Sequence, residues 1–256
     1  MVPFTNNKDA VHAIVGAKDA HYELEYFPVL FNSTGTRALL AYAGFSNKQT
    51  PIAPPDWPTY KPKTPNGYLP VLKVTKGPHH LNLCEVIAID QFLGRQANLL
   101  GKDAYEEAVI LAHHSSAQAT FFESTMLEFF WPTVAQDDKA KQAGLEKLKT
   151  KIAEWARVVE GHLAANGDKG VLVGDSVTVA DIKVVATVLA LRNVMDAHHV
   201  DGLVTKEKTP RLLQLEKKLL EKDSYREWIE SDAFVALKKG SEGFSRQFHS
   251  EFFVEK

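Results

Sequence analysis

The period of the apolar pattern changes once along this chain, and that change constrains the fold more than any other feature. Tyr22, Leu24 and Tyr26 alternate with glutamates, which sets one face of a strand against a core. Beyond residue 103 the spacing becomes three and four, as in Leu145, Leu148, Ile152, Trp155 and Val159, the stripe of an amphipathic helix. A sheet-forming stretch followed by a helix-only stretch predicts a small α/β domain joined to an all-helical one.

Local signals mark the pieces. Residues 1–20 form an N-terminal extension, where Val11, Ile14 and Val15 suit a short helical stripe that packs on the body, a disordered tag being the alternative reading. From 21 to 93 the order reads strand, helix, strand, strand, strand, helix. Arg37 to Tyr42 is an Ala/Leu-rich helix with a stop at Gly44. Thr50 to Pro65 holds six prolines, which excludes regular helix and central strand and predicts an irregular rim loop. Leu69–Val74 and His80–Leu83 read as strands, and Glu85–Leu93 as a helix. A linker covers 94–102. The helical part, 103–256, opens with a capping box at Asp103 and Glu106, and its first helix can run to Trp131, before Pro132. A second box, Thr178 to Asp181, precedes the apolar run Ile182–Leu191; amphipathic helices are predicted at Pro210–Leu220 and Tyr225–Lys239.

Composition excludes several classes. A net charge of -2 lacks the basic field of a nucleic-acid binder. No apolar run reaches the length of a membrane span. The single cysteine, Cys84, cannot form an internal disulfide, and the N-terminus lacks a basic start followed by a continuous apolar stretch. Cytoplasm is the expected compartment, and Cys84 reads as a buried, inert thiol. The pairs His79-His80, His113-His114 and His198-His199 have neighbouring side chains that point apart, so no metal site is expected.

Four segments, in this order, resemble the cytosolic glutathione transferases, closest to their tyrosine-using, sigma-like members: Tyr22–Phe27, Asn66–Leu72, Leu83–Leu93 and Gly174–Asp181. The resemblance implies a thioredoxin-like domain at 21–93, a helical domain at 103–256, and a homodimer. It implies glutathione as co-substrate, without a metal, and conjugation of its thiolate to small apolar electrophiles; isomerisation and peroxide reduction are variants. By the same resemblance Tyr26 donates a hydrogen bond to the thiolate, and Trp57 and Lys61 hold the glycine carboxylate. Leu69, before a cis Pro70, pairs with the cysteinyl unit, with Tyr68 beside it. Glu85 and Val86 open a helix at the γ-glutamyl end.

The chain departs from the pattern at Val86, where the family has serine, and at Phe31-Asn32, where sigma-like members have a Gly-Arg pair. Leu111 stands near the position of an aspartate that sigma-like members send to the partner subunit's site. Ser33 rivals Tyr26 as thiolate partner, with helix capping as its other reading. The resemblance places the electrophile pocket between Tyr26 and the greasy stretch Phe121, Phe122, Met126, Phe129, Phe130 and Trp131. Phe244, Phe248, Phe252 and Phe253 either close that pocket or pack on the helical domain. These departures keep open an alternative, a non-catalytic binding protein for apolar ligands or for assembly.

The chemistry asked of Tyr26 is modest in magnitude. A free thiol has a pKa near ~8.5, so about 3% is thiolate at neutral pH. Lowering it by two units raises the thiolate about 25-fold, and the weaker nucleophile gives back roughly eightfold. Acidification alone nets about threefold, so holding the thiolate against its electrophile must supply most of the rate.

Overall fold

The computed structural model describes residues 2–6, 14–15, 19–123, 125, 138–200, 202 and 204–247. Its sheet has the order β2-β1-β3-β4, built from β1 (His21–Tyr26), β2 (Asn47–Pro51), β3 (Val71–Lys76) and β4 (His79–Cys84). β1 runs parallel to β2, pairing Tyr26 with Pro51, and antiparallel to β3, pairing Leu24 with Leu72. β3 and β4 form a hairpin in which Val71 faces Cys84. Tyr22, Leu24 and Tyr26 are all buried, as the alternation predicted.

Helix α1 (Thr34–Tyr42) returns from β1 to the parallel strand β2, a connection that antiparallel neighbours do not need. Gly44 follows it with φ 69°, the left-handed geometry that ends a helix cheaply only at glycine. The proline-rich stretch is more ordered than predicted. After β2 it makes two short 3₁₀ turns around α2 (Trp57–Tyr60), because proline at a first helical position forfeits no needed N–H. α3 (Val86–Gln96) follows β4 and packs against α1.

The N-terminal extension supplies an arm. Thr5 bridges Leu81, and the Asn82 N–H donates to the Phe4 carbonyl at 2.6 Å, covering the outer edge of β4. Ile14 is buried while Val15 is exposed; Val11 lies outside the described residues.

In the helical part, α4 (Ala104–Phe122), α5 (Asp138–Ala165) and α6 (Val179–Ala197) are followed by α7 (Pro210–Leu220), α8 (Asp223–Glu230) and α9 (Asp232–Gln247). The Asp103 side chain caps α4 by accepting from the Glu106 N–H at 2.9 Å; Glu106 turns instead to the Lys102 N–H. The box at Thr178 closes in full, and Asp181 also accepts from the Leu172 N–H at 2.8 Å. α6 is buried almost all round and forms the axis of this part. The predicted helix at Tyr225–Lys239 is two helices. Ser231 breaks it, and its hydroxyl accepts from the Phe234 N–H to start α9.

Candidate functional site

The site begins where β1 ends. Tyr26 is 6% exposed, and the guanidinium of Arg37, one residue past the middle of α1's first half, lies 5.5 Å from the centre of its ring. Arg37 organises the loop between strand and helix. It donates to the carbonyls of Val29 at 2.6 Å and Phe27 at 3.2 Å, and to the Ser33 hydroxyl at 2.6 Å. Burial pushes the Tyr26 phenol up to about 12, with the Arg37 charge and the Asn32 N–H opposing. The phenol therefore stays protonated, a donor, across the neutral range.

Ser33 does not cap the helix by its side chain. It is fully buried, makes no capping bond, and receives Arg37. Its oxygen is therefore already engaged within the loop. Phe31 has φ 34°, in the left-handed region where the resemblance expects glycine. Its ring packs between Phe121, at 6.0 Å, and Phe244, at 5.2 Å. Phe244 thus reaches over the loop beside Tyr26. Met126, Phe129, Phe130, Trp131, Phe248, Phe252 and Phe253 lie outside the described residues.

Beside this loop opens a cleft of about 370 Å³. Tyr68, Leu69, Pro70, Glu85 and Val86 line one side; Asn32, Ile87, Gln118 and Phe122 complete it. Five of the eight residues singled out in the sequence are therefore together. The Leu69–Pro70 peptide is cis. Glu85 precedes α3 with φ 69°, a strained conformation for a residue with a side chain, and no side chain caps the helix. The first N–H groups of α3 are thus left for an occupant of the cleft. Val86 is 8% exposed, and its side chain brings no hydrogen-bonding group to that corner.

Tyr26, Trp57 and Lys61 do not line the cleft. Trp57 stands edge-on to Phe27 at 5.8 Å, and Phe27 edge-on to Tyr26 at 5.6 Å, so an aromatic row leads from the rim to the phenol. The aliphatic part of Lys61 lies against Gly67. Cys84 is buried beneath Glu85, and burial, reinforced by that carboxylate, holds its thiol up.

Three functional candidates escaped the sequence reading. Lys183, on the buried axis α6, donates to Gln118 Oε1 on α4. Gln118 Nε2 donates to Asn32 Oδ1 at 3.2 Å. Asp90, on α3, accepts from the Thr36 hydroxyl and bonds the His114 ring at 2.8 Å. A charged residue inside an apolar run is the signal that marks Lys183 within Ile182–Leu191 and Asp90 within Glu85–Leu93.

A second groove, about 400 Å³, lies between α4 and α5 and is lined mainly by apolar side chains. His113 and His162 meet there with ring centres 4.7 Å apart. Among the described residues no three potential ligands gather to hold a metal ion, and no helix is long and apolar enough to cross a membrane.

Residues 124–232 match the family model for the glutathione S-transferase C-terminal domain. The chain is 31% identical over 219 residues to hematopoietic prostaglandin D synthase of Gallus gallus, covering 85% of this chain and 99% of that one. It is 31% identical over 169 residues to probable glutathione S-transferase 7 of Caenorhabditis elegans, covering 64% of this chain and 77% of that protein. The glutathione S-transferase structure from Ascaris lumbricoides superposes with a TM-score of 0.65 at 26% identity, covering 82% of this chain and 96% of that one. The sheet and helical parts therefore form the thioredoxin-like and helical halves of that fold, and the chain belongs to the cytosolic glutathione transferase superfamily.

Proposed function

We propose that this protein conjugates the thiolate of glutathione to small apolar electrophiles, as a homodimer in the cytoplasm, and that Tyr26 donates to the sulfur. The observation that carries the reading is the convergence of Leu69, cis Pro70, Glu85 and the open N-terminus of α3 on one cleft beside the Tyr26 loop. The helix N–H groups suit the γ-glutamyl carboxylate, Glu85 its ammonium, and the Leu69 backbone the cysteinyl unit. Trp57 and Lys61, on the rim, take the glycine carboxylate. No metal is needed, because thiolate attack requires only a lowered thiol pKa and a positioned electrophile. Isomerisation and peroxide reduction with the same thiol are variants of this chemistry.

Calorimetric titration with glutathione, followed by turnover of an aryl chloride, tests the proposal. Tyr26→Phe should lower turnover about tenfold or more while affinity stays within about twofold, since the phenol acts on the thiolate and the cleft walls do the binding. Absence of binding to wild type at millimolar glutathione would refute it. The 6% exposure of Tyr26 favours a second reading, a protein that binds glutathione or apolar ligands without turnover. Binding heat without product from a panel of electrophiles would select that reading.

A further inference from the structure

Hydrogen-bond direction inside the molecule determines what Asn32 presents to the cleft. Lysine has three N–H donors and no acceptor, so the buried ammonium of Lys183 can meet the Gln118 amide only through its oxygen, as it does. Gln118 is left with amide hydrogens, and one of them meets Asn32 Oδ1 at 3.2 Å. Asn32, with its oxygen turned to Gln118, presents its Nδ2 hydrogens on the other side. Asn32 and Gln118 both line the cleft, so the corner nearest the Tyr26 loop is one of donors.

We propose that Asn32 is a second donor to the thiolate sulfur, and that Lys183 and Gln118 are positioning residues that fix its amide polarity. This rests on the glutathione reading above. The relay depends on a charged lysine. Burial draws Lys183 down to about 8, with the Asp90 charge opposing, so the ammonium predominates at neutral pH. Asp90 and His114 are the titratable groups around the relay; Tyr68 and Glu85 line the cleft, with Tyr26 and Arg37 in the loop beside it. Of these, Glu85 is at the far, α3 end. A sulfur anion at the Asn32 corner would meet two donors, the Tyr26 hydroxyl and the Asn32 amide, where a neutral thiol gains much less. The selectivity for the anion lowers the thiol pKa.

The test measures the pKa of enzyme-bound glutathione from the ultraviolet absorbance of its thiolate. Asn32→Asp keeps the shape and the bond from Gln118, but turns a carboxylate oxygen toward the cleft. It should raise the bound thiol pKa by about one unit or more, a tenfold loss of thiolate at fixed pH. Lys183→Met should raise it by less, because Gln118 can then turn either way. Within the Asn32→Asp background Lys183→Met should add nothing, since aspartate offers only acceptors whichever way Gln118 points. Glutathione affinity at a pH where the thiol is protonated should stay within about twofold throughout. Should Lys183→Met fail to fold, Gln118→Met cuts the same relay and takes its place in the cycle. An unchanged thiol pKa in Asn32→Asp, with normal binding, overturns the donor role alone. A Lys183→Met shift that persists beside Asn32→Asp overturns the relay. Wild type that binds no glutathione overturns both this inference and the reading beneath it.

Discussion

Tyr26 shows how far a single residue's surroundings decide its chemistry. Desolvation raises its pKa, so the fold favours the neutral phenol over the phenolate. The linked stability is complete below the unfolded value near ~10 and is lost as pH rises toward about 12. Wild type should therefore lose about 2–3 kcal/mol between those limits relative to Tyr26→Phe, as urea denaturation at neutral and alkaline pH would measure. Equal losses would mean that water reaches the phenol. Much of the site is legible at this scale. Tyr68, Leu69, Pro70, Glu85 and Val86 meet in one cleft because each belongs to a short motif whose local geometry travels with it. Arg37, Gln118 and Lys183 were not found, because pattern reading treats a polar residue in a helix as solvated. The partners of Gln118 and Lys183 sit 65 and 86 positions away, a distance that no local rule spans.

At the scale of elements, the last helix holds the active loop. The Leu30 N–H donates to the Ser241 hydroxyl at 2.7 Å, and Phe244 packs on Phe31. A β-carbon at Gly240 would stand 2.2 Å from the Pro28 carbonyl oxygen, so α9 comes this close only through glycine. Gly240→Ala should cost about 1–3 kcal/mol, seen as a lower melting temperature, and should reduce turnover more than glutathione affinity because the loop rather than the cleft wall is displaced. Unchanged stability would show that α9 can shift without strain. The sequence pattern located most elements, including α7 and the box that opens α6. It merged α8 with α9 because the apolar spacing continues across Ser231, where a hydroxyl cap rather than a lapse in hydrophobicity ends the helix. It also left β2 unplaced, since Asn47–Pro51 is a polar edge strand with almost no buried face.

At the scale of the whole molecule, the two halves share their buried polar groups. Asp90 and Thr36 come from the sheet half; His114, Gln118 and Lys183 come from the helical half. Separating the halves would strand an ammonium and a carboxylate, each of which needs a partner when buried. Scanning calorimetry should therefore show one transition, and glutathione at about one hundred times its Kd should add about 2.7 kcal/mol to that transition as a unit. Two resolved transitions, only one of them moved by glutathione, would contradict this coupling. The relay through Lys183 has a consequence for recombination. A crossover placed in the linker, grafting this sheet half onto a relative's helical half, preserves every residue of the cleft wall that the motifs identify. Unless that helical half also brings a lysine and a glutamine to these two positions, the chimaera carries an Asn32 free to rotate its amide. It would inherit the recognition of its parent and lose part of the reactivity.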